Sequence, residues 1–276
     1  MRYYRQYNVI SQENFLEEID KVLQNIIKEK CYRIEDSRFA VVGDLHADFK
    51  SLEYILSRVK ERIVFLGDYA DRGDKPVDVY YALFKRVNKD GSILLRGNHE
   101  SDLAIPHELP MQLHRYFGSD EVYLKLKKLW EMLPISAISQ NFWFVHGGVP
   151  TKNGKIDVEG IKADEILNPS KETMLEMMWN DPWEEERCSY SFRGIGMLFG
   201  KKATKELLKA LNVKVVVRSH EPMKVLKAEQ NGMVVTVGSC MEPYNLGKAA
   251  FLKIDENWAI KDGYDVVEKF GVVFRV

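Results

Sequence analysis

The sequence predicts an α/β fold: two mixed β-sheets packed as a sandwich, with helices flanking them. Three observations carry this prediction. In the first half, short β-branched or aromatic runs alternate with helical periodicity, which implies βαβ units and a partly parallel sheet. In the last part, several apolar runs follow one another with turns between them, like a meander that supplies a second sheet. Across the whole chain, apolar runs end in glycine and polar residues of metal-binding type.

The elements follow in order. Residues 11–29 place Phe15, Leu16, Ile19, Val22, Leu23, Ile26 and Ile27 at helical spacing, with Ser11 as N-cap. Packing on its own domain is the simplest use of that helix. "RFAVVGDLHADF", "RIVFLGDYADRG" and "SILLRGNHE" read as strands that run into polar turns. "KSLEYILSRVKE" and "PVDVYYALFKRVN" between them read as helices, with Pro76 suited to a first turn. Residues 100–133 read as mostly helical. "NFWFVHGGVP" and "VKVVVRSHEP" read as strands, and "KKATKELLKALN" as a helix. "GMVVTVGS", "KAAFLKID", "NWAIKDGY" and "GVVFRV" read as consecutive strands.

Composition narrows the function classes. The chain has 276 residues, 45% hydrophobic and 29% charged, enough for a sizeable core. No linker or repeat divides it, so residues 1–276 read as a single domain. The net charge of −1 gives no global basic field for nucleic acid or an acidic membrane. Cys31, Cys188 and Cys240 are odd in number and in no metal-type spacing, as in a protein with reduced thiols. "MRYYRQYNVISQENFLEEID" lacks the apolar core of a secretory signal, and no apolar run reaches the ~18 residues of a membrane span. The expected location is the cytoplasm.

The strand endings carry the chemistry. In open α/β sheets, ligands sit beyond the carboxyl ends of strands. Five runs end in Asp44 with His46, in Asp68, in Asn98, in His146 and in His220. This mixed nitrogen and oxygen set suits Mn, Fe or Zn better than Ca or Mg. Six ligating side chains exceed the needs of one ion and point to two, one carboxylate bridging them ~3.5–4 Å apart. The glycines beside the ligands allow tight turns and close backbone approach.

In this order, "GDLHADF", "GDYADRG", "RGNHE", "FVHGGVP" and "VVRSHEP" resemble the motifs of PPP-family serine/threonine protein phosphatases. These belong to the calcineurin-like metallophosphoesterases, whose αββα sandwich agrees with the predicted fold. The resemblance implies that Asp44 and His46 hold a first divalent ion. Asp68 would bridge, and Asn98, His146 and His220 would complete a second. It implies Arg72 and Arg193 as phosphate grips, with Asn98 beside the substrate. His99 would be the general acid and Asp71 its orienting partner. Arg193 rests on "WNDPW" and "FRGIGMLFG", with a differing stretch between them, and Tyr244 on the looser match of "SCMEPYNLGKAA". One departure is Ala47, which stands where the first motif normally has Gly.

The implied activity is hydrolysis of phosphoserine and phosphothreonine monoesters by direct attack of a metal-bridging hydroxide, with manganese as the leading cofactor. Phosphorylated proteins would be the substrates; regulatory subunits leave no signature. The competing expectation is a diadenosine tetraphosphate or other nucleotide phosphohydrolase. Asp71–Arg72 and "RSHE" favour the protein phosphatase, because the hydrolase typically has Asn at the first place and "GHT" at the last. His107 and His114 lie outside the motifs and receive no role. Glu100 reads as polarising its neighbours, or equally as a solvated acid or one that supports the ligands from behind. Arg96 and Arg218 are read as contacting phosphate or pairing with nearby carboxylates, the pairing being favoured, and Trp143, Trp179 and Trp183 as core or site walls.

Overall fold

Strands buried on both faces become continuous apolar runs, and "FAVV" at residues 39–42 is such a run: Ala40 and Val42 face one core, Phe39 and Val41 another. The structure, a computed structural model, describes residues 9–26 and 28–276. In chain order it begins with α1 (Gln12–Asn25), β1 (Cys31–Arg33), β2 (Arg38–Val42), α2 (Phe49–Arg58), β3 (Ile63–Phe65), α3 (Pro76–Asp90), β4 (Ile93–Leu94), α4 (Leu109–Phe117) and α5 (Glu121–Met132). Next come β5 (Ser136–Ile138), β6 (Phe142–Val145), α6 (Ala163–Leu167), α7 (Lys171–Trp179), β7 (Asp181–Pro182), β8 (Ser189–Tyr190), β9 (Met197–Phe199), α8 (Lys201–Leu211) and β10 (Val215–Arg218). The chain closes with β11 (Leu226–Glu229), β12 (Val234–Val237), β13 (Ala249–Asp255), α9 (Gly263–Phe270) and β14 (Gly271–Phe274).

One sheet runs β14-β13-β2-β3-β4 and another β1-β5-β6-β10-β12-β11; a small third sheet orders β7-β9-β8. The βαβ core is as expected: β2, β3 and β4 are parallel, with Val41 beside Val64 and Phe65 beside Leu94. In the second sheet β6, β10 and β12 are parallel. Between the two large sheets lie Phe39, Val41, Val64, Phe144, Val217 and Val235. Helices α1 to α5 cover the outer face of the first sheet through Phe15, Ile55, Leu83 and Leu126. Helices α7 and α8 cover the second through Met177 and Leu207 against Trp143 and Val216. The predicted sandwich with flanking helices is therefore present.

Four local expectations are corrected. The first helix stops at Asn25, where Ile26 turns to extended backbone, although Ser11 does cap it by accepting the Asn14 amide. Ile27 lies outside the described residues, as do residues 1–8 of the segment read for a signal. Residues 101–108 form a loop, not helix, before α4. The C-terminal run is not a meander: β12 lies in one large sheet while β13 and β14 lie in the other. "NWAIKDGY" forms no strand but leads into α9, which Asp262 caps by accepting the Tyr264 and Asp265 amides. There Val266 and Phe270, four residues apart, bury one face of the helix.

Candidate active site

Parallel strands in both sheets deliver their carboxyl ends to one edge, so residues far apart in sequence meet there. A bridge between Asp44 and Gly238 joins the two sheets at that edge. The turns beyond the strands are tight. His46, Ala47, Asp68, Asp71, Arg72 and His220 all have positive φ, between 44° and 70°. Gly67 (φ 109°) and Gly97 pack back to back: a Cβ on Gly67 would fall 2.5 Å from Gly97 Cα. Only glycine fits that contact, which sets the loops of Asp68 and Asn98 together.

The six predicted ligands converge and are all buried. Asp68 lies between two groups: Oδ2 is 3.5 Å from His46 Nε2, and Oδ1 is 3.2 Å from His146 Nε2. Asn98 Oδ1 is 2.9 Å from His146 Nε2, which is 3.2 Å from His220 Nδ1. Asp44 Oδ2 stands 3.9 Å from His46 Nε2.

These residues fit a pair of divalent cations. His46 Nδ1 donates to the Ala70 carbonyl at 3.1 Å, and His146 Nδ1 to Leu66 at 3.0 Å. A carbonyl only accepts, so in the neutral ring each Nε2 turns its lone pair inward. Asp44 Oδ2 is buried without a hydrogen-bond partner. The Asn98 oxygen faces other acceptors. Either its amide turns over to donate to Asp68 and His220, or a cation satisfies the convergent lone pairs. Burial lowers the basicity of His46 and His220, which favours the neutral ligand form. His99 also comes close to His46 and Asp68. Its Nδ1 is committed to Asp71 Oδ2 at 2.7 Å.

A cleft of about 230 Å³ opens over this centre, lined by His99, Arg72, Arg193, Tyr244, Trp179 and Leu103 among others. Arg72 is braced by the carbonyls of Ile105 and Pro106, both at 3.0 Å. Tyr244 Oη lies 3.2 Å from His46 Nε2. Every predicted site residue is thus at or beside one cleft. Burial opposes ionisation of Asp71, but the His107 and His99 donors hold its carboxyl well below the usual range.

Sequence reasoning misses or leaves undecided the residues that hold these side chains in place. Glu100, for which a supporting role is one of the open readings, is fully buried and accepts the amides of Asp68, Tyr69 and Gly97 at 2.8, 3.1 and 2.9 Å. Burial and the neighbouring Asp68 charge push its carboxyl up to about 7. Asp48 caps α2 and accepts the Met241 amide at 2.7 Å, fixing the turn that carries Tyr244. The Ser219 hydroxyl donates to Asp44 Oδ1, which also accepts the His220 amide at 2.9 Å. Asp181 holds both Arg193 and Arg218. The carboxylate pairing expected of Arg218 is observed, since it also meets Glu221 at 2.7 Å. The only available signal was that these residues lie within or next to the motifs.

Comparison with known proteins agrees with this geometry. The calcineurin-like phosphoesterase family matches residues 37–224. The serine/threonine-protein phosphatase 4 catalytic subunit of Saccharomyces cerevisiae is 30% identical over 234 residues, covering 80% of this chain and 76% of its own. Its Candida glabrata counterpart is 31% identical over 234 residues, covering 80% and 75%. A solved protein serine/threonine phosphatase from Saccharomyces cerevisiae, with similarity to human phosphatase PP5, shares the fold. It has TM-score 0.77 at 20% identity, over 95% of this chain and 88% of that one. This chain belongs to the calcineurin-like phosphoesterases and, within them, to the PPP-family serine/threonine protein phosphatases.

Proposed function

We propose that this chain is a metal-dependent phosphoprotein phosphatase hydrolysing phosphoserine and phosphothreonine monoesters, with residues 1–276 as one catalytic domain. The observation that carries this reading is the convergence of six buried ligand side chains beneath a cleft faced by Arg72 and Arg193. Asp44, His46 and Asp68 would hold one cation, and Asp68, Asn98, His146 and His220 the other. Two divalent ions, manganese first and iron or zinc as alternatives, would supply Lewis acidity and a water of lowered pKa.

The chain's own residues do the rest. Arg72 and Arg193 present planar forks to phosphoryl oxygens, a geometry that lysine does not reproduce. Asn98 lies beside them. The Ser or Thr alkoxide is a poor leaving group and needs a proton. His99 can deliver it from Nε2, because Asp71 fixes the proton on Nδ1. Tyr244 lines the same wall. The substrates are phosphorylated proteins.

The three cysteines are free and buried, which supports a reducing, cytoplasmic setting. Among the described residues no helix is long and apolar enough to cross a membrane.

The test is a side-by-side assay of metal-stripped protein resupplied with manganese, on a phosphoserine protein and on diadenosine tetraphosphate. Preference for the phosphoprotein is expected. Clear preference for the dinucleotide would replace the substrate class with that of a nucleotide hydrolase.

A further inference from the structure

Asp71 serves two histidines with one oxygen. Its Oδ2 lies 2.7 Å from His99 Nδ1 and 2.9 Å from His107 Nδ1. Its Oδ1 accepts the Glu108 and Leu109 amides at 2.8 and 2.9 Å. An ionised carboxylate is an acceptor only, so both Nδ1 atoms carry protons.

The far side of His107 decides its second nitrogen. Nε2 lies 3.0 Å from Tyr123 Oη, and that hydroxyl is 2.5 Å from Asp102 Oδ1. Asp102 also pairs with Lys127. Tyr123 has one hydrogen bond to donate, and the ionised Asp102 accepts it. Burial and this hydrogen bond both hold the proton on the tyrosine. The Tyr123 oxygen therefore meets Nε2 as an acceptor, and Nε2 must carry a proton too. The ring is only 12% exposed and packs edge-on to Trp130, centroids 6.2 Å apart. Of the other charged groups nearby, the Glu108 carboxylate is engaged by the Arg72 amide at 2.8 Å.

We propose that His107 is a positioning residue for proton delivery: doubly protonated, it donates to the same Asp71 oxygen as His99 and so fixes the His99 ring over the leaving oxygen. The inference rests on the phosphatase reading above. It also gives a role to a histidine that no motif contains. Asp71 alone could rotate about its side-chain torsions; held by two imidazoles and two amides, it presents Oδ2 in one place.

The experiment compares the full chain with His107→Phe, His107→Gln and Tyr123→Phe. Nitrogen-15 NMR of histidine-labelled protein, without added metal, reads the ring directly. Two protonated nitrogens are expected for His107, as its hydrogen bonds imply, and loss of the second in Tyr123→Phe. With manganese, His107→Phe is expected to lower kcat on a phosphoserine peptide roughly tenfold, a modest share of a general acid's usual contribution. On p-nitrophenyl phosphate, whose leaving group needs no proton, kcat should change less than about twofold. KM and metal content should hold, and His107→Gln, with one N–H for Asp71, should recover most of the loss. A neutral His107 ring, equal losses on both esters, or no loss on either would overturn the proposal. Wild-type protein that hydrolyses neither ester would instead sink the phosphatase reading, while the NMR result would still report on the ring.

Discussion

Asp181 Oδ2 accepts from Arg193 Nε at 2.7 Å, while its Oδ1 accepts from the fully buried Arg218 at 2.8 Å. One carboxylate thus ties the guanidinium at the cleft to one that is 0% exposed inside the fold. Burial alone would raise the Asp181 carboxyl, but Arg218 and the charges beside it hold it down to about 2.

Asp181→Asn should therefore show its cost through pH. A depressed carboxyl contributes stability that is present above the unfolded value, near 4, and lost as pH falls through the folded value. Urea unfolding of wild type should exceed that of the variant by about 2 kcal/mol near neutral pH. The gap should close as pH falls from about 4 toward 2. A gap independent of pH would mean that the ion pairs are not its source.

Ala47 holds φ 59° in the turn after His46. Left-handed backbone costs a residue with a Cβ about 1–2 kcal/mol, and glycine returns part of that as unfolded-state freedom. Ala47→Gly is expected to raise unfolding free energy by roughly 0.5–1 kcal/mol. Metal content should stay the same. A lower urea midpoint would show that the alanine methyl, buried in this turn, contributes more by packing.

Asp68 reaches both halves of the ligand set, so Asp68→Asn should weaken both ions by at least about tenfold. Metal analysis after dialysis reads this directly, and two ions at wild-type occupancy would show that Asp68 does not bridge. Chelation of wild type should lower its melting temperature, because the folded state alone offers the assembled site.

Glu100→Gln tests the support beneath the loops. Its two oxygens accept three amides. Glutamine has one oxygen and an NH2 group, so at least one buried amide would face a donor. A loss of about 1–3 kcal/mol in chemical denaturation is expected. An unchanged midpoint would mean that the loops hold without it.

His99→Asn separates the acid from the ligands. Turnover should fall on phosphoserine peptides and fall least on esters with a good leaving group, with metal content spared. Loss of bound metal in this variant would reassign His99 as a ligand, a role its nearness to His46 and Asp68 leaves open to test.

The predicted ligands were legible because each stands in a short signature: an apolar run that ends in a tight polar turn carrying the donor, with glycine in or beside that turn for all but His220. The βαβ core was legible for a similar reason, since β2, α2, β3, α3 and β4 follow one another and pair with their neighbours. Where pairing skips along the chain, reading failed. Nothing near Cys31–Arg33 says that it lies beside Ser136–Ile138, or near Ala249–Asp255 that it returns to Arg38–Val42. "NWAIKDGY" reads as strand, yet the chain there leads into a helix over 263–270, whose place follows from what Val266 and Phe270 bury.

By itself the sequence determined the βαβ elements from β2 to β4, the metal-type residues at the strand ends and the reaction class they support, because these depend on residues close together in the chain. Tertiary structure alone decided which strands share a sheet and which side chains brace the donors. Asp71 and His107 are 36 residues apart, Asp44 and Ser219 are 175 apart, and neither pair has a local pattern. Such contacts form only when both sheets bring their strand ends to one edge.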